Sequence, residues 1–396
     1  NLIGGFASAL SPENLLFCFI GVTVGTFVGV LPGIGSMIGI SILLPMTFYL
    51  SPEAALVMLA GIYYGGEYGG SISSILINLP GSASSAVTSI EGYQMTRQGR
   101  APVALFITAI ASFLGGTIGI VLLTAFSPIL ADLSLRFGPA DYFSIMVLGL
   151  LASTTMTQGA VLKSCASVVL GVMFGTIGTD INTGVQRFTF GTMELFDGIS
   201  IIIIAMGVFG IAEILATVMS GDHMSVKANV RLRDMLPTRD DRRRSAMPIL
   251  RGGLLGSLLG ALPATGPTIA SFLAYTLEKR VSRRPEAFGT GIIEGVTAPE
   301  AANSAAAQTA FVPTLTLGIP GSATMALILG ALLIHGIPAG PRLITDHGDM
   351  FWALVASFWI GNVLLLVLNI PLVGIWIRFL SIPYRLLYPG IICLIC

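Results

Sequence analysis

Charge is what this sequence has least of. Asp, Glu, Lys and Arg together make up 10% of its 396 residues, against about 25% in an ordinary soluble domain, too few to cover a water-facing surface. The 20 basic and 20 acidic residues cancel to a formal charge of zero, so no global field marks it for nucleic acid. The four cysteines, Cys18, Cys165, Cys393 and Cys396, lack metal-ligand spacing and lie in apolar runs, where cysteine acts as a small hydrophobe. No His-Glu-x-x-His motif and no Walker-type phosphate loop occur, which removes the zinc-protease and ATP-hydrolysing classes. Serines in the turns described below are nucleophiles in principle, but nothing beside them would serve as base. Neither an enzyme nor a cofactor is expected.

Apolar residues fill the chain instead, at 54% with a mean hydropathy of +0.87. Residues 101–126, 199–219 and 351–370 each reach the roughly 20 apolar residues that a helix needs to cross a bilayer. The expectation is an all-α polytopic membrane protein with about 10–12 membrane segments. Of the 20 Lys and Arg, 12 lie between Lys227 and Arg284, concentrated in "KANVRLRDMLPTRDDRRRS" and "EKRVSRRP". Short loops rich in Lys and Arg stay in the cytoplasm, so 221–251 and 279–285 are placed there. Residues 51–53 belong to a region with no Lys or Arg before Arg97 and are placed on the periplasmic side.

Two apolar segments break themselves in the same words. "GTFVGVLPGIG" aligns with "GSLLGALPATG", pairing Gly25 with Gly256, Gly29 with Gly260, Pro32 with Pro263 and Gly35 with Gly266 at an offset of 231. Pro80-Gly81-Ser82-Ala83 returns as Pro320-Gly321-Ser322-Ala323 at an offset of 240. Between them, Glu67 and Ser71 in "EYGGS" match Glu300 and Ser304 in "EAANS" in order and spacing. The chain therefore reads as a duplication: a first repeat over 1–220, a basic cytoplasmic linker over 221–251, and a second repeat over 252–396 that stops short at its C-terminal end. The opposite charge of the flanks makes the repeats inverted, with helices broken or re-entrant at matching places. That is the sequence pointer to the binding site of a secondary transporter.

The breaks carry the chemistry. Proline stops a helix by removing a donor, glycine lets a ligand approach the backbone, and the helix leaving the turn points free N–H groups at whatever sits there. The substrate is placed among Asn78, Pro80, Gly81, Ser82 and Ser84 of the first turn and Gly318, Pro320, Gly321 and Ser322 of the second, with Ser85 adding a hydroxyl. Gly33, Gly35, Ser36, Glu67, Thr265, Gly266, Thr268, Glu300 and Asn303 are assigned to ion binding or gating, and freed carbonyls near the breaks suit Na+. Glu67, Glu294 and Glu300 lie in or beside apolar stretches, where carboxyl groups are proton-carrier or cation-ligand candidates. His335 reads as a helix-end residue. A passive anion channel stays open as the rival to a carrier.

"GVLPGIGSMIG", "GIYYGGEYGGSISSILINLPGSA", "APEAANSAAA", "LTLGIPGSATMALILGALLIHG" and "PAGPRL" resemble the large membrane subunit of the tripartite tricarboxylate transporter family, collinearly over nearly the whole chain. The resemblance implies a multi-pass permease of the bacterial inner membrane that imports di- or tricarboxylates by symport with Na+ or H+. It implies a small four-helix membrane subunit and a periplasmic substrate-binding protein as partners, and leaves a homodimer open. Leu262-Pro263-Ala264 stands where the family typically has Leu-Pro-Gly, and Asn303-Ser304 where it has paired asparagines. The family also runs on past Cys396, so further helices are expected there.

Overall fold

The computed structural model describes residues 2–32, 35–134, 161–179, 185–196, 232–262 and 265–380, with scattered positions between 138 and 204. Among these the chain is all-α, apart from a two-residue antiparallel pairing of Gly178–Thr179 with Gln186–Arg187. Gly33, Pro263, Ala264, the loop 221–231 and nearly all of the span expected at 199–219 lie outside the described residues.

The first half holds α1 (Leu2–Ala9), α2 (Pro12–Val30), α3 (Gly35–Leu43), α4 (Pro52–Ile77), α5 (Ala86–Arg97) and α6 (Ala101–Ser134). After α7 (Val161–Thr176) come α8 (Arg239–Gly260), α9 (Gly266–Val281), α10 (Glu294–Thr309), α11 (Phe311–Leu317) and α12 (Ala323–Ile334). The described chain closes with α13 (Leu343–Asp346), α14 (Gly348–Asn369) and α15 (Val373–Phe379). Among the described residues three stretches, Pro12–Val30, Ala101–Ile129 and Gly348–Asn369, are long and apolar enough to cross a membrane unaided.

Local chemistry sets the helix ends. α2 and α4 both open on Ser-Pro-Glu: Ser11 and Ser51 accept from the N–H groups of Asn14 and Ala54, each at 3.3 Å. Proline then fills the first turn, where its missing donor costs nothing. α8 opens on a capping box formed by Thr238 and Asp241. Residues 239–251, expected in the basic linker, are therefore helix, and the first half of the broken segment is a full 22-residue α8. α4 ends on Asn78 and α11 on Gly318, both left-handed (φ 60° and 70°), the conformation that glycine takes freely and asparagine tolerates at a helix C-terminus.

Glycine ladders hold the two halves together internally. A Cβ at Gly21, Gly25 or Gly29 of α2 would strike the backbone of Met58, Ile62 or Gly66 in α4. One at Gly252, Gly256 or Gly260 of α8 would strike Ala298, Ala302 or Ala306 in α10. Small residues every fourth position let helices touch backbone to backbone where no hydrophobic effect pulls them together. The ladders obey the sequence offsets, Gly25 mapping on Gly256 and Ile62 on Ala302. That register corrects one pairing: it sets Glu67 opposite Ala307 and Glu300 opposite Ala60, so "EYGGS" and "EAANS" are not equivalent.

Helix ends gather in two groups. In one, Ser8 donates to Glu53 at 2.6 Å and Ser51 to Glu13 at 3.3 Å, and a cavity shared with Ile337 and His347 joins the starts of α2, α4 and α14 to the chain leaving α12. In the other, Arg100–Asp241 (2.7 Å) and Arg244–Glu294 (2.8 Å) join the starts of α6, α8 and α10, and Arg251–Glu278 (2.6 Å) ties the middle of α8 to the end of α9. Glu91 of α5 belongs to this group, accepting from Gly291 N–H, Ile292 N–H and the Tyr275 hydroxyl at 2.7, 3.0 and 2.8 Å. Matched elements thus offer the same end to opposite groups.

Candidate functional site

Each break packs on the turn of its own half. A Cβ on Gly35 (φ 66°) would lie 3.3 Å from the Gly81 carbonyl oxygen, and one on Gly266 (φ 58°) would lie 3.5 Å from that of Gly321. The left-handed conformation and the close carbonyl together account for glycine at both positions. The four stretches enclose one cavity of about 420 Å³, lined from the first half by Gly35, Ser36, Met37, Tyr63, Glu67 and residues 80–84. Pro267, Thr268, Ser322, Ala323 and Thr324 complete it from the second half. Neither Lys nor Arg is among the lining residues.

The first turn is wired to a carboxyl group. Ser85 folds inward: it accepts from Ser82 N–H at 3.2 Å and donates to the Ser82 carbonyl at 2.8 Å. It fixes the turn and does not line the cavity, contrary to expectation. The Ser82 and Ser84 hydroxyl oxygens are 2.9 Å apart. Ser84 donates to Glu67 Oε2, and Ser36 donates to Glu67 Oε1 at 3.1 Å. Glu67 is buried and, among the described residues, is the one acidic residue lining the cavity.

The second turn presents a helix end. Ser322 caps α12 by accepting from Met325 N–H at 3.2 Å, which leaves its own hydroxyl proton free to donate. Thr324 in the first turn of α12 and Thr268 in that of α9 add hydroxyls. The Tyr63 hydroxyl is buried near that of Ser322, yet it completes no well-formed hydrogen bond. By geometry this wall offers donors and a positive helix end, which is how uncharged backbone holds an anion.

Of the expected residues, Gly35, Ser36, Glu67, Pro80, Gly81, Ser82, Ser84, Thr268 and Ser322 line the cavity. Asn78 and Gly318 serve as helix caps instead, with Asn78 exposed. Pro320, Gly321 and Gly266 stand behind the lining as turn backbone, and the Thr265 hydroxyl closes its own turn on Leu262 at 2.9 Å. Glu300 is sealed away from the cavity by hydroxyls of Ser71 (2.7 Å), Ser112 (3.2 Å) and Thr88. Asn303 is buried with both amide atoms unbonded, and Glu294 is ion-paired with Arg244 and is not among the cavity lining residues. His335 is the C-cap of α12. Tyr63, Pro267 and Thr324 were not foreseen; the offsets pair Pro267 with Ser36 and Thr324 with Ser84. Among the described residues no group of three His, Cys, Asp or Glu could hold a metal ion.

Known proteins resemble this chain. The model of the tripartite tricarboxylate transporter TctA family matches residues 15–396. An Agrobacterium vitis protein described as an uncharacterized 52.8 kDa protein in the TAR-I ttuC' 3' region is 51% identical over 392 residues. That match takes in 99% of this chain and 78% of the relative. A second Agrobacterium vitis protein, described as uncharacterized in the TAR-II ttuC' 3' region, is 56% identical over 137 residues, or 35% of this chain and 57% of its own. No solved structure matches. A match that runs from the first long helix to the last residue takes in both breaks and both turns, and the chain belongs to the tripartite tricarboxylate transporter TctA family, as a multi-pass membrane permease subunit.

Proposed function

We propose that this subunit is a secondary active carrier that imports di- or tricarboxylates through the cavity between its two Pro-Gly-Ser turns. The observation that carries it is a 420 Å³ cavity built by both halves and lined by hydroxyls, turn backbone and the start of α12, with no Lys or Arg. A carboxylate there is held by charge-assisted hydrogen bonds worth roughly 1.5–3 kcal/mol each. The substrate arrives from a periplasmic binding protein, and a small membrane subunit completes the assembly. A cation gradient, Na+ or H+, drives accumulation in the bacterial inner membrane. The halves are inverted repeats, with the Arg-rich group of helix ends cytoplasmic and the Ser-Pro-Glu group periplasmic. The broken segments and their turns move as one unit against the intact helices, by elevator or rocking motion.

The test is a melting-temperature screen of the purified protein against di- and tricarboxylates, followed by transport in proteoliposomes. Saturable uptake that collapses with the cation gradient supports a carrier. Non-saturating flux indifferent to the gradient would make it a channel.

A further inference from the structure

The first turn and its carboxyl group form a chain of hydrogen bonds with only one direction available at a time. When Glu67 is ionised both its oxygens accept, so Ser36 and Ser84 must donate to it. Ser84 has one proton, so it can only accept from Ser82, 2.9 Å away. Ser82 then turns its proton inward and presents lone pairs to the cavity. A carboxylate arriving there meets lone pairs backed by a buried negative charge, with no Lys or Arg in the lining to offset it.

We propose that Glu67, Ser84 and Ser82 act as a proton-set latch: protonation of Glu67 reverses the chain and turns the Ser82 hydroxyl toward the substrate. This rests on the reading that the cavity takes a carboxylate. The proton adds to Oε2, the oxygen facing Ser84, while Oε1 keeps accepting from Ser36. Oε2–H then donates to Ser84, Ser84 to Ser82, and Ser82 to the substrate. One proton is gained and no other bond is made or broken. Substrate and proton bind together because each is poorly held without the other.

Among the described residues the other carboxyl group close to Glu67 is that of Glu300, which lies outside the cavity lining. α4 itself presents Tyr63, Tyr64 and Tyr68. α3 and the first turn contribute hydroxyls, α6 contributes Ser112, and α10 and α14 contribute the amides of Gln308 and Asn362. Glu300 of α10 is held by its own three hydroxyls. Ser85 fixes the Ser82 main chain, so the reversal needs only hydroxyl rotation. In the second half the position of Glu67 is taken by Ala307, so the latch belongs to one half alone. Glu67 acts as a positioning residue through the serines.

The test is calorimetric titration of the purified subunit with citrate between pH 5.5 and 8, in buffers of different ionisation enthalpy. Protonation of free citrate is subtracted from its own titration. The latch predicts uptake of about one proton per citrate and affinity falling about tenfold per pH unit on the alkaline side. Glu67→Gln, whose amide donates to Ser84 permanently, should bind citrate with no protein proton uptake and no pH slope beyond citrate's own. Ser84→Ala should bind more weakly and also lose the proton uptake, although Glu67 is present. Citrate binding by the wild type with no proton uptake overturns the latch and leaves the carboxylate reading standing. Proton uptake that persists in Ser84→Ala overturns it too, since Glu67 would then act without the serines. No citrate binding at any pH removes both.

Discussion

Two glycines that are identical by sequence do different work. A Cβ on Gly81 would run into the Gly29 carbonyl and lie 2.7 Å from the Gly70 Cα, whereas one on Gly321 would meet Ala310, Leu262 and Gly260 atoms at 3.8–4.0 Å. The first contact is backbone that must shift; the second is ordinary van der Waals distance. Gly81→Ala should therefore cost about 1–3 kcal/mol as overpacking, visible as a lower melting temperature, while Gly321→Ala should melt within a degree or so of the wild type. Equal effects would contradict the packing described. The hydroxyls differ as well. Ser322→Ala loses a helix cap worth about 1 kcal/mol along with any substrate bond, so melting and affinity both fall. Ser82→Ala removes a hydroxyl whose partner is Ser84 rather than a helix end, and should raise the apparent substrate constant about tenfold or more with little change in melting.

At the level of helices, the pairs that matter are those the membrane makes expensive to break. Glu278 is 3% exposed in its side chain and accepts from Arg251 Nε and Nη2, at 3.0 and 2.6 Å. Arg251→Met leaves that carboxyl without its partner and should destabilise α8 against α9 by about 3 kcal/mol, the low end for a buried pair because Arg251 is itself a third exposed. Adding Glu278→Leu should restore most of the lost melting temperature, and a double mutant no better than the single one would refute the pairing. These elements were only partly legible in the sequence. The offsets of 231 and 240 gave the breaks and the turns, because duplicated backbone keeps its glycines and prolines, whereas Asn78 and Gly318, expected to bind substrate, are helix caps. Those offsets also contained Thr324 and Pro267, which look unremarkable until Ser84 and Ser36 are seen beside them. The Glu-x-x-x-Ser match misled: chemistry-bearing residues differ between the halves, whereas Gly25 and Gly256 do not. Glu294 and Glu91 could not be placed either, since their partners lie 50 and about 200 positions away.

At the scale of the whole molecule, the proposed arrangement has two like-built halves entering the membrane from opposite sides and meeting at one anion cavity. With the native cysteines replaced, single cysteines at position 52 should react with impermeant reagents from the periplasm, and at 283 only from the cytoplasm. The reverse, or labelling of both from one side, would undo the inverted arrangement. The site is tested most directly by a structure of the assembled transporter with a bound di- or tricarboxylate. Ligand density is expected in the cavity, with carboxylate oxygens within about 3 Å of the Ser82, Ser322 or Thr324 hydroxyls or of the first N–H groups of α12, and no Lys or Arg in contact. Ligand density away from both turns, or held by a basic side chain, would contradict it.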